Sequence, residues 1–423
     1  MLSVDRSAVP VVVQQHADLA AHLRITRRVL VRAPHVRILH LRRLDDRIAA
    51  QLDGLSEAGT LGHEVCIAAL ASPGVGELFT TTICALEAHD HVTLHKLLAL
   101  AESLPAAQPG LTSGFGWVSP VRLRGITKPL LDSNTAFHRQ VGLAACGMHL
   151  VDPGAALTSA VDDPDAALRA RAYGVAGACG RLDLMHACRR ALSDADPDCR
   201  YQAARASLLL GDRSAAVAAL NTLADAPGCR QNSALALLLQ VLGPQEAATV
   251  LSAWAQDPAM QRSLIRGTGI AGDSSYVPWL IKQMGEPTHA RLAGESLSLI
   301  TGLDISDEGL EGESPQGAEA TTGPNDDPGD ENVAMDEDDS LPWPNQEKIA
   351  AWWQANGHRF PPGARHFMGA PVTREHCIEV LKNGYQRQRI LAAHYLCLLE
   401  PGTPLFNTSA PAWRQQRLLA EMK

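Results

Sequence analysis

An all-α protein, built as a solenoid of stacked helix pairs, is what this sequence predicts, and three observations between Asp162 and Leu303 predict it. Pro164, Pro197, Pro227, Pro258 and Pro287 recur at spacings of 33, 30, 31 and 29 residues, four of them beside an acidic residue. Each proline is followed within five residues by an arginine: Arg169, Arg200, Arg230, Arg262 and Arg291. An Ala/Leu-rich run then ends at glycine: Gly180, Gly211, Gly243, Gly269 or Gly272, and Gly302. Self-similarity at a fixed period of this size marks a repeat architecture.

The physics of one copy accounts for the pattern. Asp163 or Asp196 can cap the orphan amides of a helix N-terminus. Proline at the first helical position loses no hydrogen bond and already has helical φ. Leu168, Ala172, Val175 and Cys179 then recur at three- and four-residue steps, so they share one helix face. Gly180 suits a left-handed stop. A second, shorter helix carries Leu184, Cys188, Ala191 and Leu192. Such a pair cannot bury its apolar face alone and must stack on neighbours. Alanines such as Ala203, Ala204, Ala206, Ala215 and Ala216 let helices approach closely. The period and the Asp/Pro/Arg placement resemble HEAT-type repeats, in which such an arginine commonly pairs with a neighbouring repeat's aspartate, here Asp163, Asp196 or Asp257. A binding ladder on the concave face is the alternative role for these arginines.

Four regions follow. Residues 1–129 form an N-terminal helical region, with helices expected over Val11–Arg32 and Ile38–Leu52, two or three more between Gly59 and Leu104, and a Gly/Pro/Ser-rich connector over Gly110–Pro129. The regular array runs over 130–303, starting with a helix over Asn134–Leu150. Residues 304–342 read as an acidic, disordered insertion, because a segment so poor in apolar residues cannot offset its ordering entropy. Residues 343–423 return to helices: Gln346–Asn356, Arg374–Leu381, Tyr385–Leu399 and a terminal cap over Ala410–Met422.

Charge sharpens this division. The net charge of −9 conceals fourteen Asp and Glu between Asp304 and Asp339, a stretch with no Lys or Arg. Without them the chain has 37 basic and 32 acidic residues, a mildly basic body. Aromatics are only 4% of residues, as expected where Ala and Leu fill interhelical space. No run reaches the eighteen or so apolar residues of a membrane span, and the N-terminus lacks the features of a signal peptide. The nine cysteines are scattered without Cys-x-x-Cys, which reads as reduced, buried thiols in a cytoplasmic protein.

Motifs for catalysis are missing. His89-Asp90-His91 with His95 is the best metal-like cluster, and His91 and His95 share a helix face. There is no His-Glu-x-x-His and no third ligand at a telling spacing, so these read as exposed helix-end histidines. No nucleophile elbow or phosphate loop occurs. Gly114-Phe115-Gly116-Trp117 lacks the strand–helix context of a phosphate loop. No catalytic residue, metal or cofactor is expected. The candidates for partner binding are Arg24, Arg28, Arg42 and Arg43 in the arginine-rich N-terminal region, and Trp343, Trp352 and Trp353 after the acidic segment. Each has a plainer role: a solvated basic helix face for the arginines, and anchors for the chain's return onto the solenoid for the tryptophans. The acidic segment is either an inert loop or an electrostatic cover over a basic face, such as the N-terminal arginines. Both roles predict that deleting 308–338 leaves the fold and melting temperature nearly unchanged.

The two ends add a more specific resemblance. Gln15-His16-Ala17-Asp18-Leu19-Ala20 and Leu41-Arg42-Arg43-Leu44-Asp45-Asp46-Arg47-Ile48 stand near the start. Leu341-Pro342-Trp343-Pro344, Trp352-Trp353, Phe360-Pro361-Pro362-Gly363, Met368-Gly369-Ala370-Pro371 and Arg387-Gln388-Arg389-Ile390-Leu391-Ala392-Ala393-His394 stand near the end. Together they resemble a bacterial family of HEAT-like proteins often encoded beside type VI secretion genes. The resemblance implies a cytoplasmic, non-enzymatic adaptor or scaffold whose protein partner is a type VI effector or spike component. No membrane and no small-molecule substrate are expected. A HEAT-like nucleic-acid binder or DNA glycosylase is the alternative, but the acidic segment would repel phosphates. A HEAT-type lyase or hydroxylase using the histidines is a third reading.

Overall fold

The structure, a computed structural model, describes residues 8–315 and 337–422. It is all-α. In chain order the helices are α1 (Pro10–Leu30), α2 (Ile38–Glu57), α3 (Thr60–Ala69), α4 (Val75–Glu87), α5 (His91–Ser103), α6 (Gln108–Trp117), α7 (Thr127–Leu131) and α8 (Ala136–His149). They continue as α9 (Ala155–Ala160), α10 (Ala166–Ala178), α11 (Met185–Arg190), α12 (Pro197–Leu209), α13 (Ala215–Asp225), α14 (Gln231–Val241), α15 (Pro244–Trp254) and α16 (Gln261–Ala271). The last are α17 (Val277–Gln283), α18 (Pro287–Thr301), α19 (Gln346–Asn356), α20 (Arg374–Asn383), α21 (Gln386–Leu399) and α22 (Ala412–Glu421). Among the described residues β-structure is confined to isolated bridges. Helices pack on their sequence neighbours and next neighbours, as in a repeat array.

The described chain forms two compact units. The first takes in residues up to Arg32, Val36–Gly211 and Pro401–Met422; the second takes in Ala33–His35 and Asp212–Glu400. Each is described by itself.

In the first unit α8, α10 and α12 stack in succession. Leu143, Leu168, Ala172, Val175, Cys188 and Ala206 form their shared core. The caps are the ones the proline period requires, with one shift. Asp196 accepts a hydrogen bond from the Cys199 amide at 2.8 Å, with Pro197 at the first helical position. One repeat earlier the cap is Asp165, which accepts from the Leu168 amide at 2.7 Å, and not Asp163. Asp163 instead receives Arg139 at 2.7 Å. Arg169 likewise grips Asp194 through two nitrogens, at 3.1 and 3.0 Å. The rung is therefore an arginine reaching the aspartate of the following turn. Asp194 fills that place where Asp196 was expected, because Asp196 is already committed to its cap. Gly180 and Gly211 end their helices at positive φ. Gly243 does not: it starts α15, and Gly272, not Gly269, stops α16.

Two expectations for this unit concern α6 and α22. Gly110–Pro129 is not a connector, since Gln108–Trp117 is helix α6, packed along α4. Its glycines serve close approach rather than turns. A Cβ on Gly110 would lie 2.2 Å from the Val75 carbonyl oxygen, and one on Gly114 would lie 2.7 Å from Thr82 Cγ2. The terminal helix α22, expected as a cap on the solenoid, packs on α2. Arg27 and Asp45 form a buried pair at 2.6 Å, and the carboxylate also accepts the Ala412 amide at 2.7 Å. Arg27 donates to the Ser409 and Ala410 carbonyls, and Trp413 sets its edge against Trp117 at 4.8 Å. Arg414 donates to the carbonyls of Gly116, Trp117 and Val118 at the C-terminal end of α6, where a cation also meets the favourable end of the helix dipole.

A pH dependence follows from one histidine of this unit. His149 Nε2 donates to the Phe115 carbonyl at 2.8 Å, and burial, aided by Arg414, pushes its pKa down from 6.5 to about 4. The folded state thus holds the ring neutral while the unfolded chain binds the proton more readily. This contribution to stability is full above pH 6.5 and is lost as the pH falls toward 4. His149→Gln should melt with a shallower decline than the parent between pH 7 and 4.5. Parallel melting curves would refute it.

In the second unit α16 and α18 pack side by side, with α17 against α18 and α19 against α17. Ile265, Leu280, Leu292, Leu297, Ile300 and Ile349 make the core. Here the expectation of a disordered stretch over 304–342 is corrected at both ends, while 316–336 lies outside the described residues. Asp304 accepts from the Tyr385 hydroxyl at 2.9 Å. The Gly312 amide donates to the Trp343 carbonyl, and the Asn345 amide donates to the Leu310 carbonyl, each at 2.8 Å. Asp338 is buried and meets Arg262 at 2.7 Å. The compositional argument fails at these residues because arginines and backbone groups hold them and the few apolar side chains present, Ile305 and Leu341, are buried.

Candidate partner-binding surface

The arginines singled out from sequence have different surroundings. Arg24 is not a free surface cation. It donates to Ser113 Oγ at 2.9 Å and lies over the Phe79 ring, with its centre 5.6 Å from the ring centroid. Burial, with Arg27 and Arg28 adding, lowers its pKa to about 10. Arg42 is tied to Asp46 one turn on, at 2.8 Å. Arg28 and Arg43 are exposed. Arg27, which sequence reasoning did not single out, has the most structured environment of the group; its signal was an arginine and an aspartate with no role in either helix's own capping.

The tryptophans lie in the second unit and serve its packing. The Arg291 guanidinium sits over Trp343, 4.6 Å from the ring centroid. Trp353 stacks on Phe360 at 5.8 Å, and Trp352 approaches the same ring at 6.4 Å. Both pack against the core that includes Ile349. Three half-buried indoles with these contacts anchor the chain where it re-enters the helical array.

A surface not singled out from sequence runs along α1. Val11, Leu19, Ile25 and Val29 are 63%, 45%, 52% and 66% exposed. At 100° per residue they fall within roughly 120° of one another, so they form one stripe down the helix. Exposed Gln15, Asp18 and His22 lie between them, and Arg28 and Arg32 border one edge. The buried face of the same helix is made largely of small residues: Val13, Ala17, Ala20, Ala21 and Leu23. The helix thus keeps its alanines inside, where neighbours come close, and turns larger aliphatic side chains outward. The sequence held this signal as two apolar stripes on one helix, only one of which can face a core.

The other candidates for chemistry have simpler accounts. Asp90 caps α5 by accepting from the Thr93 amide at 3.0 Å. His91 and His95 border a shallow open depression with Val92 and Lys96. Among the described residues no group of three His, Cys, Asp or Glu side chains could hold a metal ion. A second depression is bordered by Asp162, Asp163, Arg169, Tyr173, Arg190 and Asp194. Its charges are engaged in rungs and in the Arg190–Asp162 pair at 2.6 Å, and the Tyr173 hydroxyl donates to the Val161 carbonyl. Among the described residues no helix is long and apolar enough to cross a membrane. No family model matches the chain, and no curated protein matches it either.

Proposed function

We propose that the protein is a non-enzymatic scaffold of HEAT-type repeats that holds a protein partner on the outer face of α1. The observation that carries this reading is the stripe of Val11, Leu19, Ile25 and Val29 with Arg28 at its edge. Four exposed aliphatic side chains gathered on one helix face, with Gln15, Asp18 and His22 among them, offer an amphipathic docking surface. A basic edge selects an apolar helix flanked by carboxylates, which would add steering and register to apolar burial. The resemblance of both chain ends to HEAT-like proteins encoded beside type VI secretion genes supports a cytoplasmic adaptor role toward an effector or spike component. Against the nucleic-acid alternative, Arg139, Arg169, Arg262 and Arg387 are engaged by carboxylates of the chain.

The test compares the parent with Ile25→Asp/Val29→Asp, both at exposed positions, so the fold should survive. A type VI component co-purifying from the native bacterium is expected to bind the double variant about thirtyfold more weakly, from loss of roughly 2 kcal/mol at a hot spot. Equal affinity would refute the assignment. So would a self-association that light scattering sees in the parent and not in the variant, which would give the face to a second copy.

A further inference from the structure

We infer that Cys66 and Cys84 form a peroxide-responsive dithiol that closes to a disulfide between α3 and α4. Their sulfurs lie 3.8 Å apart, eighteen residues apart in sequence, with no other thiol interposed. A disulfide requires about 2.05 Å, so the gap to close is less than the length of one C–S bond swing. Rotations about the two Cα–Cβ bonds, with a small shift of α3, supply it. α3 is the movable partner: its buried residues are only Gly62 and Cys66, whereas α4 buries nine, including Leu78, Phe79, Ile83 and Leu86.

The two thiols differ in a way that suits sequential chemistry. Cys66 is fully buried beside Val13, Ala17 and Leu55, whereas Cys84 is partly exposed and gives access to the pair. The hydrogen bond between the two sulfurs lowers the Cys66 thiol below its ordinary range, while that bond and burial raise Cys84. In the first step the Cys66 thiolate attacks one oxygen of hydrogen peroxide. The O–O bond breaks, hydroxide leaves, and Cys66 becomes a sulfenic acid. In the second step the Cys84 sulfur attacks the Cys66 sulfur, the S–O bond breaks, and the Cys84 proton leaves with the hydroxyl as water. Two electrons pass from the pair of sulfurs to peroxide. A resolving thiol already in contact is what diverts a sulfenic acid from further oxidation. Burial holds Cys146, Cys179, Cys188, Cys199 and Cys377 as thiols.

The test uses the full chain carrying Cys229→Ser, because Cys229 is the exposed cysteine and would link molecules to one another. The protein is treated with hydrogen peroxide at a dose that oxidises Cys229 in the parent, then unfolded and alkylated. The expected result is two fewer alkylated cysteines and a Cys66–Cys84 linked peptide lighter by two hydrogens, both reversed by dithiothreitol. The oxidised protein should also melt at a higher temperature, because the bridge constrains the unfolded chain. Cys84→Ser should abolish the linked peptide and let Cys66 proceed to the sulfinic acid. Full alkylation of both residues after that dose, or a Cys66 sulfinic acid with Cys84 present and unlinked, overturns the assignment.

Discussion

Asp45→Asn is expected to lower the stability of the first unit by about 3–5 kcal/mol, the cost of breaking a buried ion pair from one side. Asp45 is 0% exposed and accepts from Arg27 Nε and Nη2 and from the Ala412 amide. The amide of asparagine keeps the shape but removes the charge, and its NH2 group faces donors. Arg27 is then left buried without a countercharge, with one amide oxygen and the Ser409 and Ala410 carbonyls as its acceptors. Those two contacts are also what attach the chain before α22 to α1, so the loss should spread. Amide exchange should accelerate over 405–421 and along α1 together, and the lowest melting transition should fall by on the order of 10 °C. Because two compact units need not unfold together, the exchange map is the decisive readout. Unchanged protection over 405–421 in Asp45→Asn would show that the pair does not hold this helix. The double variant Arg27→Met/Asp45→Leu should recover much of the loss, since an apolar replacement of both partners removes the desolvation cost along with the attraction.

What could be read in advance divides along physical lines. Helix positions were legible wherever proline, aspartate and glycine act locally. Gln346–Asn356 is the helix expected there, and α8, α20 and α21 lie within a few residues of their expected spans. The glycines of α6 misled because the same residue type serves turns and close helix contacts, and only the presence of Val75 and Thr82 opposite them decides which. The rung arginines were legible as a class. Their partners were not, since Asp194 and Asp196 differ by two residues and only the structure shows which one is spent on a cap. The place of α22 was hidden for another reason. It depends on Arg27 and Asp45, nearly four hundred residues away in sequence, and no local pattern reports a contact of that range. The stripe on α1 was the least visible, because outward Val11, Leu19, Ile25 and Val29 look the same in sequence as inward ones.

Asp338→Asn is expected to destabilise the second unit by about 2 kcal/mol, between the cost of an unsatisfied hydrogen-bond partner and that of a buried ion pair. Asp163 and Asp194 receive the rung arginines Arg139 and Arg169 from the turn that follows each repeat. Arg262 stands at the same repeat position, yet its acceptor is Asp338, brought from 76 residues away in sequence by the acidic segment. Within the second unit, the segment's C-terminal end therefore supplies the carboxylate that the repeat arginine Arg262 takes. Its neighbour Glu337 reaches Arg266 at 3.1 Å and offers its backbone carbonyl to Arg387. The two carboxylates should separate by salt. Asp338 has a 4% exposed side chain, so its loss should cost nearly the same at low and high ionic strength. The Glu337 side chain is 68% exposed, so Glu337→Gln should cost well under about 1 kcal/mol and nothing in high salt. Deleting 308–338 removes Asp338, the Leu310 carbonyl bound by Asn345 and the Gly312 amide bound to Trp343, so it should lower the melting temperature rather than leave it unchanged. Full restoration of that deletion's melting temperature by high salt would mean that screened charge alone joins the segment to the repeats. An Asp338→Asn protein that melts with the parent would remove Asp338 from the ladder altogether.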